Sequence, residues 1–355
     1  MHDVIVIGGG AMGSAAALRL ADTGRDVVLL EQHPFGHDLG GSHGATRLFR
    51  AAVDDDAYAA RVARARPLWD ELAARAGHTL LEITGGVDHG LPEEVAASFR
   101  GVVLDPREAT SRWPGMRFET PVLYQPESGR IRADVAIASM QELARAAGAE
   151  LRDSVRVESL RVGPAGVAVD TPAETVHARQ AVVTAGPWSP GLVRAVMPLP
   201  RLRVTQEQPR FFAPRSPSPA WPSFVHWRGS GHPVYGLYES GSGVKVGLHG
   251  SGPEIDPSVR RPPDPTVDAA LVRYVEEWFP GLDPTESTPI SCLYDIAPGN
   301  RFIIDRVGPV TVAAGFSGEG FKFVPLVADY ITDLVTGGGE TPPDYRLAAH
   351  HIGGR

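Results

Sequence analysis

The sequence predicts an α/β fold in two domains. Three observations predict it. The chain has 355 residues, about two domains at ~150 residues each, and is long enough to bury a substantial core. It opens on a strand, a glycine-rich turn, a helix and a second strand, the unit from which parallel sheets are wound. From about residue 80 the pattern changes to short alternating stretches broken by Pro- and Ser-rich segments, as expected of a second, strand-based layer.

Taken in order, residues 3–7 form a short apolar run and predict a buried strand. Gly8 to Gly13 make a turn, and a helix-forming stretch follows from Ser14. Val27 to Leu30 predict a second strand, which ends at Glu31. Residues 36–46, rich in Gly, Ser and His, read as loop. Residues 57–77 carry Ala, Leu and Trp at helical spacing, a long amphipathic helix. Thr79–Ile83 and Thr120–Tyr124 suggest strands, and 132–147 a helix. Val155–Val162 and Gly166–Asp170 read as a strand pair, and Ala181–Thr184 as a strand running into Ala185–Trp188. Residues 213–222 and 251–265 read as loops, with strands at Val234–Tyr238 and Gly243–His249 between them. Phe302–Ile304 and Val310–Ala314 predict buried strands before a last helix at about 325–336, closed by Gly337, Gly338 and Gly339.

Composition removes several classes of function. The formal charge is −8, so nucleic acid is not an expected partner, because phosphate binding wants a basic face. A single Cys excludes an intrachain disulfide and a Cys-rich metal site. No apolar run reaches ~18 residues, so no membrane span is expected. Neither a signal peptide nor a C-terminal address is visible, and the expected location is cytoplasmic. Of 34 basic residues only Lys245 and Lys322 are lysines. They are candidates for positions where a planar guanidinium cannot replace a compact ammonium, although two surface lysines left by composition drift would look the same.

Gly8, Gly10 and Gly13 fit the spacing G-x-G-x-x-G between a strand and a helix. The first glycine makes the tight turn, the second admits a pyrophosphate, and the third lets helix and strand pack closely. Glu31 ends the second strand, where a carboxylate accepts from an adenosine ribose hydroxyl. An adenine dinucleotide follows. The motif does not separate NAD from FAD, and its place at the start of the chain leans toward FAD.

Four further segments carry a resemblance: Gly41–Arg50 (GSHGATRLFR), Gly243–His249 (GVKVGLH), Cys292–Tyr294 (CLY) and Gly315–Phe323 (GFSGEGFKF). With the glycine turn, they make the chain similar to the monomeric sarcosine oxidase and N-methyl amino acid oxidase family, within the D-amino-acid-oxidase/glycine-oxidase superfamily. Both lysines and the one cysteine fall inside these segments. The resemblance implies a Rossmann-like FAD-binding domain (1–83, 132–198 and 288–355) and an antiparallel-sheet substrate domain (84–131 and 199–287).

It also implies roles. Cys292, on its own a small buried hydrophobe, becomes the thioether link to the flavin. Lys245 becomes the cation beside the flavin where dioxygen is reduced, since a fixed ammonium suits developing negative charge. Arg50 and Lys322 become the clamp on a substrate carboxylate, and Arg47 lies against the flavin. His43 falls at a position tied to flavin attachment and turnover, Tyr235 and His249 at substrate-pocket positions, and Tyr294 beside the attachment site. Read alone, each is as readily a core residue. Ser42, Thr46, Gly318 and Gly320 fall in flavin-contacting segments, and the helix beginning near Pro325 aims its positive end at the flavin. His78, His89, His350 and His351 read as solvated or incidental.

Glu319 stands where family members carry His and Ala45 where many carry Asp; Pro325 and Tyr238–Ser242 also depart from the pattern. These departures are expected near the pocket and bear on the substrate. The reaction implied is oxidation of the C–N bond of a secondary or cyclic amino acid to an imine, with dioxygen reduced to hydrogen peroxide, in a monomer. The alternatives are a flavin-dependent dehydrogenase and an imino-acid oxidase acting on a proline- or pipecolate-like ring.

Overall fold

The computed structural model describes residues 1–50, 55–92, 95–96, 101–216, 220–229, 231–338 and 341–350. Its first sheet has eight strands. The central strand His2–Ile7 lies parallel to Val27–Leu30 on one side and to Thr175–Val183 on the other. Glu150–Arg152 extends the sheet beyond Val27–Leu30, and Val310–Ala314 pairs in parallel with the far part of Thr175–Val183. Antiparallel strands Ser159–Gly163, Gly166–Asp170 and Ile303–Val307 complete it.

Both faces of this sheet are covered at its centre, which explains why Val4–Ile7, Val27–Leu30 and Val310–Ala314 are buried at every residue and do not alternate. Val4 and Val6 point into a core with Leu20, Trp69, Met140 and Ile331, from the helices Ala11–Asp22, Asp56–Ala76, Ala133–Ala146 and Val324–Thr336. Ile5 and Ile7 point the other way, onto Val28, Val169, Val312 and Met197.

The second eight-stranded sheet runs in the order Leu282–Pro289, Arg210–Pro214, Gly243–Leu248, Val234–Glu239, Ser223–His226, Gly86–His89, Val122–Gln125 and Val102–Leu104. Its pairs are antiparallel, apart from Ser223–His226 with Gly86–His89. Helix Pro265–Trp278 packs Leu271, Tyr274 and Val275 into its core. A small sheet of Thr46–Phe49, Gly129–Arg132 and Leu81–Glu82 and the pair Arg203–Glu207 with Cys292–Ile296 complete the sheets.

Several expectations need correction. The loop expected over 36–46 gives way to strand at Thr46, whose register partner is Arg132. The strand expected from Val155 begins at Ser159, because Val155 and Val157 turn toward a cavity. The expected loop over 213–222 overlaps strand Arg210–Pro214, and its residues 217–219 lie outside the described ones. At the end of 251–265 a helix starts, with Asp264 accepting from Thr266 N and Pro265 in its first turn. His89 and His350 are buried, at 1% and 8% exposure. Gly339 and residues 351–355, His351 included, fall outside the described residues. Among the described residues, no helix is long and apolar enough to cross a membrane.

Candidate active site

One cavity of about 1200 Å³ lies between the two large sheets. Every catalytic and cofactor-binding residue expected from the sequence lines it except Gly13, and of the departures Glu319 lines it while Ala45 and Pro325 do not.

The glycine turn forms one end. Gly8 adopts φ +103°, and a Cβ there would stand 2.6 Å from Thr184 O. At Gly13 a Cβ would fall 1.8 Å from Gly8 O, so helix and strand meet only because this residue has no side chain. The helix Ala11–Asp22 has neither a side-chain cap on Gly10 nor an acid in its first turn. A helix start of this kind suits an anion. Ala11 N donates to Ser42 Oγ at 3.2 Å. Glu31 is 6% exposed and accepts from Gly9 N at 2.7 Å and His33 N at 3.0 Å. Burial pushes its carboxyl up, but these bonds and His37 outweigh it and hold the group ionised. The cradle, the open helix end and the ionised carboxylate fit the pyrophosphate and ribose of a dinucleotide.

The middle of the cavity gathers cations. Strand Gly243–Leu248 places Lys245 at 5% exposure, and its Nζ donates to Thr46 O at 2.9 Å. Burial and the nearby Arg47 bring this ammonium down to about 8. The Thr46 hydroxyl donates to Glu239 at 2.7 Å, so the segment expected at the pocket, Tyr238–Ser242, acts from one bond behind it. Arg47 donates to Thr46 O at 2.9 Å and His43 O at 2.6 Å, and lies over the Phe321 ring. His43 is held neutral by burial and by Arg47, near a pKa of about 4, and its Nε2 has no partner among the described residues. Cys292 is half-buried beside these groups. Burial pushes its thiol up, against the pull of Arg47, Lys245 and Arg260.

The other end is polar and aromatic. His249 faces Tyr294, with Nδ1 3.5 Å from the hydroxyl, and Tyr235 stands edge-on to it. Gly318, at φ +76°, has no room for a Cβ, which would lie 2.4 Å from the Tyr294 ring. At Gly320 a Cβ would meet Phe316 at 2.7 Å. The turn Gly320–Phe323 is pinned by Trp69, whose Nε1 donates to Lys322 O at 2.8 Å. Lys322, 8% exposed, donates to the Tyr58 hydroxyl at 2.7 Å. Tyr58 in turn donates to Glu319 at 2.6 Å. Arg50 donates to Asp88 at 2.7 Å, while its Nε has no partner among the described residues.

Sequence reasoning missed Tyr58, Asp88, Trp227 and Arg260. Asp88, a lone acid in a Gly-Val-rich stretch, carried the one visible signal. Pro325, expected near the pocket, instead shares a small surface depression with Ala15 and Leu18.

Known proteins place this geometry. The FAD dependent oxidoreductase (DAO) family model matches residues 3–334. The monomeric sarcosine oxidase of Streptomyces avermitilis is 31% identical, over 96% of this chain and 95% of its own. The human peroxisomal sarcosine oxidase is 32% identical, over 99% and 96%. The structure of NikD, described as an unusual amino acid oxidase essential for nikkomycin biosynthesis, superposes with a TM-score of 0.87 at 24% identity, covering 97% of this chain and 96% of that one. The chain belongs to the DAO family of FAD dependent oxidoreductases.

Proposed function

We propose that this protein is an amine oxidase that converts a secondary (N-methyl) or cyclic amino acid to its imine. One observation carries the reading. Arg50, whose side chain keeps 18% exposure while Asp88 holds its Nη2, and Lys322 both line the cavity. The names of the sarcosine oxidase relatives support the same substrate class.

FAD, when bound, accepts the hydride and passes its electrons to dioxygen. The chain's own residues do the rest. Gly8, Gly10, Gly13 and the helix that follows hold the pyrophosphate, with Glu31 on the ribose. Ser42, Thr46, Gly318 and Gly320 shape the walls around the isoalloxazine. Cys292 is the residue that would hold the isoalloxazine covalently, and Arg47, Lys245 and Arg260 pull toward the thiolate this would need, against the burial that raises the thiol. Arg50 and Lys322 fix the substrate carboxylate and so aim the carbon next to nitrogen. Lys245 holds its proton on Nζ below a pH of about 8 and offers that charge to dioxygen. His43, Tyr235, His249 and Tyr294 wall the reacting centre from water.

Under this reading the FAD-binding domain comprises 1–83, 132–198 and 288–355, and 84–131 with 199–287 cover the substrate. The strands of the first large sheet all fall in the former set. The protein works as a cytoplasmic monomer. Hydrogen peroxide release on adding sarcosine, N-methyl-L-tryptophan, L-proline or L-pipecolate tests the proposal. Turnover of at least one supports it, and the preferred one separates N-demethylation from ring oxidation. Flavin reduction without peroxide points to a dehydrogenase, and no reduction with any amine overturns the reading.

A further inference from the structure

Arg50 follows the strand Thr46–Phe49 and enters the cavity with one edge already held. The holder is Asp88, from strand Gly86–His89, 2% exposed and not part of the cavity lining. Both its oxygens are in use. Oδ1 accepts from Arg50 Nη2 at 2.7 Å and from Trp227 Nε1 at 3.0 Å. Oδ2 accepts from Gln125 Nε2 at 2.8 Å, and Gln125 Oε1 accepts from Ser128 Oγ at 2.9 Å. The Trp227 ring also stands 5.8 Å from the Arg50 guanidinium carbon.

These donors come from a rigid frame. Gly86–His89 is hydrogen-bonded to Val122–Gln125 on one side and to Ser223–His226 on the other, and Trp227 directly follows the latter. A buried carboxylate is costly unless it is fully partnered, and this one has three donors. It therefore has one stable orientation, and so does the guanidinium it holds. The Arg50 side chain still keeps 18% exposure and lines the cavity, while its Nε is buried and has no partner among the described residues.

We infer that Asp88 is a positioning residue, which locks the Arg50 guanidinium so that the part of it exposed in the cavity meets the substrate carboxylate. The inference rests on the assignment of Arg50 to that carboxylate. Asp88 does not touch substrate. It contributes by removing the guanidinium's rotational freedom before binding, which lowers the ordering cost of holding an anion. Its effect is therefore confined to ligands that carry a carboxylate.

The test uses the flavin-loaded enzyme and two readouts. Acetate binding is followed by the visible spectrum of the bound flavin. Steady-state kinetics compare the best secondary amino acid with its carboxamide. Asp88→Asn is expected to raise the acetate Kd and the amino-acid KM by about 10-fold, with kcat within about 3-fold and the carboxamide unaffected. In an Arg50→Gln background, Asp88→Asn is expected to add less than about 2-fold. If Arg50→Gln weakens acetate and Asp88→Asn does not, the positioning role fails alone. Equal losses for acid and carboxamide overturn it as merely structural. If Arg50→Gln leaves acetate binding unchanged, the assignment of Arg50 falls, and Asp88 with it. Should Asp88→Asn not fold, Gln125→Leu, which removes the donor to Oδ2, is expected to give the same acid-only loss at about 2- to 5-fold, and an unchanged acetate Kd overturns the proposal.

Discussion

Lys322 and Tyr58 share a 2.7 Å hydrogen bond across 264 residues of sequence, with the ammonium as donor. The phenol passes its own proton on toward Glu319 at 2.6 Å. Burial draws Lys322 down to about 8, and Glu319 opposes the fall. The pocket thus keeps a lysine that is a cation at neutral pH and loses its charge on the mildly alkaline side.

Carboxylate binding should follow that titration. Because the lysine's value in the folded protein is depressed, its charge is present below a pH of about 8 and lost above it. Acetate titrations from pH 6.5 to 9.5 are expected to show weakening through this window. In Tyr58→Phe the buried ammonium loses its acceptor, so the weakening should begin at lower pH, with affinity at pH 7 reduced about 3- to 10-fold. A profile flat in both proteins speaks against Lys322 as part of the clamp.

Lys245 predicts a separation of the two half-reactions. In Lys245→Gln the charge beside Thr46 O is gone while a hydrogen-bond donor stays. Stopped-flow reoxidation by dioxygen should slow by about 100-fold or more, and anaerobic reduction by substrate should change by only a few-fold. Equal effects on both steps contradict the assignment.

Cys292 is tested by acid precipitation. The wild-type pellet should stay yellow, and the Cys292→Ser pellet should lose its colour to the supernatant. Wild-type colour in the supernatant means noncovalent FAD, and removes the thioether from the account.

Gly13→Ala places a methyl 1.8 Å from Gly8 O and 2.7 Å from Thr184 Oγ1. The helix must move off the strand at the point where the pyrophosphate sits. Flavin loading should fall sharply, with a stability loss of about 2 kcal/mol or more in urea unfolding. A variant with full flavin content and unchanged stability contradicts the close packing.

The second sheet carries an acid-sensitive pair. His89 and His226 stack at 3.8 Å between centroids, with Trp278 and Phe118 around them. Both His89 ring nitrogens lack partners among the described residues, and His226 Nδ1 meets the Tyr274 hydroxyl at 3.1 Å. Burial holds both rings neutral, His226 near a pKa of about 4 and His89 also well below its ordinary value. In the unfolded chain they take up protons below about 6.5. Stability is therefore lost as the pH falls from about 6.5 toward 4, on the order of 2 kcal/mol by pH 5 for His226, with His89 acting in the same direction. Urea unfolding at pH 7 and pH 5 should show the loss, and His226→Phe should reduce it. Equal stability at both values contradicts a neutral pair.

How much of this was legible depended on whether the signal was local. The strand Asp3–Ile7, the glycine turn and Glu31 carry their reasons in adjacent residues, so their places follow from spacing alone. The segments holding Arg50, Lys245, Cys292 and Lys322 were legible through resemblance, since nothing local distinguishes Arg50 from the other arginines. Asp88 was legible only as a lone acid, since nothing local names Arg50 as its partner. Gly86 is needed there because a Cβ would meet that of Ser128 at 2.7 Å, a contact from the turn after the neighbouring strand that no local pattern contains. Tyr58 occupies the first turn of its helix, where Asp55 accepts from its N–H at 2.8 Å, and only the fold brings it to Lys322. Helix Pro265–Trp278 was obscured by the prolines before it, although Asp264 and Pro265 are a regular start signal.

The central claim is that a secondary amino acid held by Arg50 delivers its electrons to FAD in this cavity. Anaerobic addition of the preferred amino acid, followed by the loss of flavin absorbance, measures that directly. The account predicts full bleaching of the wild-type flavin, with Arg50→Gln requiring at least about 10-fold more substrate for the same extent. An unbleached flavin across the whole panel, or identical titrations for the two proteins, would contradict it.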